Sequence, residues 1–237
     1  MKLIISMITY NRLEYSKQTL RSLFSTIEVP YYLIVVDNNS DDGTKEYLAS
    51  LVDRGRINQA IFNDENYYPG KATNIGWKEG LEEYPQATHL MRLDNDMHFE
   101  RGWDFRAEEY FKQIDRLGQL GLDFDGGENK IPQYYNNMGL VEFPGCVGGP
   151  NIIRREIYDS GARYDETPWE GSRSKLQEDS KFSRLVKNEG WLVGHMDTRL
   201  SWTFATKKNW KDYKDYYEKT MFDRGYDDEV KYIEGLK

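Results

Sequence analysis

The sequence predicts an α/β fold, a mostly parallel central sheet flanked by helices, on three observations. Short apolar runs alternate with helix-length segments through residues 1–100. Alternation of that kind builds parallel sheets covered on both faces. Three of the four apolar runs end in Asp- or Asn-rich turns, and such a sheet gathers its ligands at the carboxyl ends of its strands.

The elements follow in order. "KLIISMI" reads as a first strand, and "RLEYSKQTLRSLFSTI" carries Leu13, Leu20, Leu23, Phe24 and Ile27 at helical spacing. "YYLIVVD" is a second buried strand, closed by the turn-rich "NNSDDGT". "TKEYLASLVDRG" is a helix stopped by Gly55, and "INQAIFN" a third, weaker strand. A helix runs from about Gly70 to Tyr84, ended by Pro85, and "HLMRLD" makes a fourth strand. Beyond Phe99 the pattern loosens. "ERGWDFRAEEYFKQIDRLGQL" reads as one amphipathic helix, and "GLDFDGGENKIPQYYNNMGLVEFPG" as loop with short strands. "CVGGPNIIRREIYDSGARYDE" holds a small-residue turn, a short strand and a helix. "QEDSKFSRLVKNEGW" is a helix, and "LVGHMDTRLSW" a strand with polar ends. The tail from about Ala205, dense in Lys, Asp and Tyr, reads as helical.

Composition narrows the function classes. The 237 residues suffice for a sizeable core, and although only 38% are hydrophobic, 18 tyrosines supply bulk and stacking surface. Mean hydropathy is −0.81, and the absence of an apolar run of roughly 20 residues excludes a spanning helix. The start, "MKLIISMITYNR", turns polar too soon for a signal peptide, and the single Cys146 forms no intrachain disulfide. A soluble, cytoplasmic protein is the expectation. A net charge of −8 disfavours extended nucleic-acid binding, while leaving room for a small phosphorylated ligand approached through a cation.

The chemistry-bearing stretch is "HLMRLDNDMHF". Carboxylates at the end of a buried strand are costly unless solvent, a basic partner or a metal satisfies them. In an extended chain Asp94 and Asp96 share a side while Asn95 points away. That arrangement suits Mg2+ or Mn2+, which takes one or two carboxylates and fills its other positions with phosphate and water. A second D-x-D, Asp123 and Asp125 in "GLDFDGG", sits beside two glycines and reads as a turn. Asp37 closes its strand with no apolar partner and is placed to accept from a base N–H or a ribose hydroxyl. Glu178 and Asp179 open a helix, where the macrodipole favours acids whether or not one serves as a general base. Of three histidines, His89 reads as structural, His98 lies two residues past Asp96, and His195 falls at a strand end far along the chain.

Taken together, "ISMITYNRLEYSKQTLRSL", "LIVVDNNSDDGT", "NYYPGKATNIGW", "HLMRLDNDMHF" and "QEDSKFSRLVKNEGW" resemble the successive landmarks of GT-A fold glycosyltransferases of the family 2 type. The resemblance covers residues 1–100 closely and 145–204 more loosely. It implies a single GT-A catalytic domain over 1–204, with a Rossmann-like nucleotide-sugar-binding half (1–100), an acceptor half (101–204) and a charged, Tyr-rich helical extension over 205–237. It further implies a hexosyl-type transfer from a nucleotide-sugar donor, a UDP-sugar by preference, to an acceptor hydroxyl of a glycan or other molecule, with Mn2+ or Mg2+ as cofactor. Carried over by position, Thr9, Tyr10 and Arg12 would border the nucleotide and Asp37 would hold base or ribose. Lys71 and Asn74 would line the same pocket. Asp94 would contact the ribose or a metal-bound water, and Asp96 would ligate the metal, joined by His195. Gly148 and Gly149 would give the sugar room, and Asp179, next to Glu178, matches the base of inverting members.

Residues 103–144 match no landmark, although Tyr134, Tyr135, Phe143 and, further on, Trp169 are candidates for stacking on sugar rings, and Arg199, Lys207 and Lys208 for reaching phosphate. A sugar-1-phosphate nucleotidyltransferase would carry a Gly-rich loop after its first strand, and "TYNRLEYS" has no glycine. A dehydrogenase would need G-x-G-x-x-G at the same turn. A noncatalytic nucleotide- or glycan-binding relative is the remaining alternative, since a fold does not guarantee activity.

Overall fold

The computed structural model of the chain describes residues 1–122, 132–142, 147–168 and 178–236. The four apolar runs become β1 (Leu3–Thr9), β2 (Tyr31–Asp37), β3 (Gln59–Phe62) and β4 (His89–Asp94). Between them lie α1 (Leu13–Thr26), α2 (Thr44–Asp53) and α3 (Tyr68–Glu83). The strands are parallel in the order β3-β2-β1-β4, so their carboxyl ends share one edge, as the alternation predicts.

The later chain adds β5 (Met97–Phe99), α4 (Trp103–Gln113), β6 (Leu117–Gly121), β7 (Gln133–Tyr135) and β8 (Met138–Glu142). After these come β9 (Asn151–Arg154), α5 (Arg155–Asp159), α6 (Glu178–Asn188), β10 (Leu192–Met196) and β11 (Ser201–Thr203). The sheet continues from β4 as β9-β6-β10-β8-β7. Among the described residues only β9 and β8 run against the prevailing direction, which makes the sheet mostly parallel. A separate two-stranded ribbon pairs β5 with β11. The tail forms a 3-10 helix (Lys207–Tyr213), α7 (Lys214–Asp223) and α8 (Asp227–Glu234), which share a small core of Trp210, Tyr217 and Ile233.

One expected element is corrected. The helix predicted across 100–120 ends at Gln113, and Leu117–Gly121 is instead a fully buried strand between β9 and β10. Its glycines explain why. Gly118 lets Trp191 approach, where an added Cβ would sit 2.5 Å from the Trp191 Cβ, and Gly121 admits the His195 ring. Glycines at such a spacing weaken a helix and suit a strand that another side chain must approach closely.

The core divides by the two-residue period of β1. Leu3, Ile5 and Met7 face Leu20 and Leu23 of α1, whereas Ile4 faces Trp77 of α3. Trp77 is fully buried, donates from Nε1 to the Met91 carbonyl at 3.1 Å, and packs on Tyr164 and Phe182. Tyr164 and Phe182 stack at 4.2 Å, which fixes α6 against α3 and β4. Gly76 and Gly80 bring α3 down onto the sheet. A Cβ at Gly76 would lie 2.8 Å from the Ser6 Cβ and closer still to its hydroxyl. The Gly76→Ala variant is therefore expected to lose about 1–3 kcal/mol of stability through overpacking, despite alanine's better helix propensity, as a lower urea midpoint with unchanged slope.

Candidate active site

The loops that leave the parallel strands are stitched together before they form a site. Thr9 donates to Asp37 Oδ1 at 2.8 Å, and the Ser40 amide donates to Asp37 Oδ2 at 2.9 Å. The Asn11 amide donates to Ser40 Oγ at 2.7 Å, and the Asp41 amide donates to Asn11 Oδ1 at 2.9 Å. Asn63 Nδ2 reaches Asn38 Oδ1 at 2.9 Å. Asn11 and Arg12 both adopt left-handed backbone conformations, with φ of 52° and 59°. For side chains other than glycine this geometry is strained, and it persists only where surrounding bonds hold it.

Above these loops opens a cavity of about 380 Å³. Of the residues the sequence singled out, Tyr10, Arg12, Asp94, Asp96 and Gly149 line it. The D-N-D segment is not extended throughout: Asp94 ends β4, and Asn95 and Asp96 form the turn into β5. Asn95 nevertheless points inward as expected. It is 2% exposed, donates to the Asn11 carbonyl and Ser16 Oγ at 3.0 Å each, and accepts from Arg12. Arg12 also donates from Nη1 to Asp96 Oδ2 at 2.8 Å. Burial lifts the Asp96 carboxyl above the usual carboxylate range, with Arg12 opposing the rise and Asp94 adding to it.

Arg92 organises the other half of the site. Its side chain is 3% exposed and lies within 3.5 Å of Asp94 Oδ1 and 3.4 Å of Glu178 Oε1, while Nη1 donates to Asp179 Oδ1. Asp179 and Asp94 are thus joined through one guanidinium although they come from separate elements. Burial pushes the Asp179 carboxyl up to about 7, with Arg92 holding it down and Glu178 and Asp94 raising it. Gly148 leaves the space that Asp179 uses, since a Cβ there would lie 3.3 Å from Asp179 Oδ2. Gly149 adopts φ of 58°, a conformation open to glycine at little cost.

Other expected residues stand outside the cavity. Thr9 and Asp37 are fully buried behind it and bonded to each other, and Asn38 follows them into the lining. Lys71 places its ammonium 3.4 Å from the Tyr67 ring centroid. Asn74 is committed to the chain before α6, donating to the Tyr164 carbonyl and Glu166 Oε1 at 2.9 Å each. His195 does not join the aspartates. It pairs with Gly121, level with Arg92 but separated from β4 by β9 and β6, a span of about 14 Å at normal strand spacing. His98 stacks on Trp202 at 4.4 Å instead of turning to Asp96. Asp123, Asp125, Phe143 and Trp169 lie outside the described residues. Tyr134 is exposed, and Tyr135 donates to Glu142.

Asn38 lines the cavity from a strand-end turn expected to face it, whereas Tyr68, Arg92 and the α7 side chains Tyr216, Tyr217 and Lys219 were not legible in advance. Arg92 carried one usable signal, an arginine alternating with apolar residues inside a buried strand. Such a charge demands acidic partners.

A divalent cation fits the donor set in one respect and is limited in another. Asp94, Asp96, Glu178 and Asp179 outnumber Arg12 and Arg92 by two charges before any proton binds, which matches one divalent ion. Among the described residues, however, no three His, Cys, Asp or Glu side chains converge to cage a metal. Two carboxylates at a cavity wall suit a cation that completes its shell with ligand phosphates and water.

Comparison with known proteins bears on the family and the fold. The model of glycosyl transferase family 2 matches residues 4–161. No curated protein matches. Among solved structures, a mannosyltransferase from Pyrobaculum calidifontis in complex with GDP-Man and Mn2+ superposes with a TM-score of 0.69 at 13% identity, covering 94% of this chain and 62% of that one. S. aureus TarS 1–349 in complex with UDP gives 0.64 at 17% identity, covering 92% and 64%. GalNAc-T7 with UDP, GalNAc and Mn2+ gives 0.65 at 15% identity, covering 82% and 41%. The chain thus spans less than two thirds of each of these three, and 38% of a longer TarS chain. At these identities the likeness establishes a common fold. Among the described residues no helix is long and apolar enough to cross a membrane.

Removing the buried cation is the direct test of how the site is held. Arg92→Met is expected to cost about 3–5 kcal/mol in urea unfolding, because three carboxylates lose their shared partner. Arg92→Lys should recover part of that loss.

Proposed function

The chain belongs to glycosyl transferase family 2, and from that premise we propose that it is a metal-dependent, inverting glycosyltransferase with Asp179 as its base. The single observation that carries the reading is the Arg92 bridge, which ties the cavity-lining Asp94 to Asp179. A cation-binding carboxylate on the cavity wall and a proton acceptor behind that wall are thereby held in fixed relation through one guanidinium. A UDP-sugar is the preferred donor, supported by the UDP recorded with two of the three neighbouring structures. Residues 1–204 form the catalytic unit in this reading.

The residues divide the work. Asp96 and Asp94 would hold Mn2+ or Mg2+. That ion, when bound, stabilises the charge gathering on the departing nucleoside diphosphate. Tyr10, Asn38 and Tyr68 border the nucleotide, and Arg12 keeps the D-N-D turn in place through Asn95 and Asp96. The acceptor oxygen attacks the anomeric carbon on the face opposite the diphosphate, and its proton passes to an Asp179 carboxylate oxygen. The bond from that carbon to the diphosphate oxygen breaks in the same displacement. Arg92 orients Asp179 for this transfer, and Gly148 keeps its carboxyl uncrowded. A base titrating near neutrality serves such a role well, because it is ionised at working pH and still basic enough to take a proton.

Donor class is tested by thermal shift against UDP, GDP, dTDP and CMP, each with and without Mn2+. A metal-dependent rise in melting temperature for one nucleotide, lost in Asp96→Ala, is the expected result. No rise with any of them would favour a noncatalytic relative.

The base is tested separately. Asp179→Asn should lower transfer at least about 100-fold while nucleotide binding persists. Wild-type turnover should rise as pH increases through about 7, where Asp179 ionises. The stability contribution of this group has the opposite sign. Its folded pKa exceeds the unfolded one, so the native state binds the extra proton at low pH, and the contribution declines as pH rises toward and through about 7. The wild-type minus Asp179→Asn difference in unfolding free energy, followed over pH, reads that decline. Transfer that survives unchanged in Asp179→Asn would exclude the assignment.

A further inference from the structure

The open side of the cavity is covered by the C-terminal helix. Tyr216, Tyr217, Lys219 and Thr220 of α7 line it, with Arg224 just beyond the helix end. The helix is anchored to the strand-end loops through Arg12, whose guanidinium lies 4.2 Å from the Tyr216 ring centroid and donates to the Tyr217 hydroxyl at 3.2 Å. The Tyr10 and Tyr216 rings meet at 5.9 Å. The tail is therefore built into the same wall as the residues that border the nucleotide.

The cations on this wall are not equivalent. Arg12 is engaged by Asp96 and Asn95, and Arg92 by Asp94, Glu178 and Asp179. Lys219 differs. Its ammonium donates to the Tyr10 hydroxyl at 3.3 Å, and among the described residues no carboxylate lies within ion-pair distance, Asp223 one turn on acting on it from farther away. A phenol is a weak partner for an ammonium, and a phosphate oxygen would replace it with a charge-assisted bond. The long, rotatable stem of lysine suits that exchange.

We propose that Lys219 binds the diphosphate of the donor, so that α7 is a working wall of the donor pocket. This rests on the nucleotide-sugar reading above. Within that reading the phosphates lie between the Asp94 and Asp96 carboxylates on one wall and Lys219 on another, in a cavity whose volume is in the range of small-ligand sites. The extension beyond residue 204 then has a function of its own: it supplies positive charge to a pocket whose Arg12 and Arg92 are already paired with carboxylates.

Calorimetric titration of UDP and GDP in the presence of Mn2+ tests the assignment on the full chain. Lys219→Gln keeps a hydrogen-bond donor toward Tyr10 and removes the charge, whereas Lys219→Arg keeps the charge. Glutamine is expected to weaken the nucleotide that binds by about tenfold, and arginine to retain most of the affinity. Melting temperatures without nucleotide should match wild type in both. Wild-type affinity in Lys219→Gln, or equal weakening in both variants, would overturn the proposal while leaving the donor reading intact. A wild-type chain that binds neither nucleotide would overturn both.

Discussion

Charge balance at the end of β4 is the constraint on which the rest of the site depends. Asp94 and Asp96 emerge from a buried strand, Glu178 and Asp179 open α6 beside them, and two guanidiniums hold the four carboxylates together. Like charges this close repel by several kcal/mol at the effective dielectric of a protein interior, so the carboxylates cannot converge without cations among them. Arg92 and Arg12 meet that need only in part. Burial, with the Glu178 and Asp94 charges adding to it, raises the Asp179 carboxyl to about 7, and Asp94 and Asp96 are the carboxylates to which the proposed cation is assigned. The same crowding of buried carboxylates thus bears on both the proposed base and the proposed metal site.

The scaffold fixes those charges by dry packing on one side and polar stitching on the other. Below the site, Trp77, Tyr164 and Phe182 clamp α6 to α3, and Asn74 fastens the chain that leads toward α6. At the strand ends, Asp37, Ser40, Asn11 and Asn95 exchange hydrogen bonds across three loops. Asp37 and Asn74, expected at the ligand, act instead as fasteners one layer behind it. Such an outcome is common for buried polar side chains, whose bonding capacity must be satisfied wherever they sit. The left-handed Arg12 is the visible consequence, a strained backbone held so that its side chain reaches Asp96 and Asn95 together.

The tail changes the character of the pocket. Without α7 the parallel strand ends would present an open crevice; with it, Tyr216, Tyr217 and Lys219 close one side. Lys207, one of the tail lysines singled out for phosphate in the sequence, pairs with Glu229 within the tail instead. Lys219 lay in the same charged stretch and was not distinguished from its neighbours. Only its place at the cavity rim, where it meets Tyr10, separates them.

The motifs pointed to the family by resemblance, and the sequence by itself determined the parallel half of the sheet, its helices and the common edge of its strand ends. These elements rest on local periodicity and on spacings within a few dozen residues, which backbone geometry converts directly into structure. It did not determine β6, because "RLGQL" follows an amphipathic helix and its buried strand state depends on β9 and β10 closing on both sides. Nor could it place His195, which lies three strand spacings from β4, since strand order is not written in any local pattern. Tertiary structure alone decided that Arg92 joins Asp94 to Asp179, 85 residues apart in the chain, and that α7 folds back onto Arg12. Contacts of that range are chosen by burial and charge compensation in three dimensions, and a one-dimensional reading has no access to either.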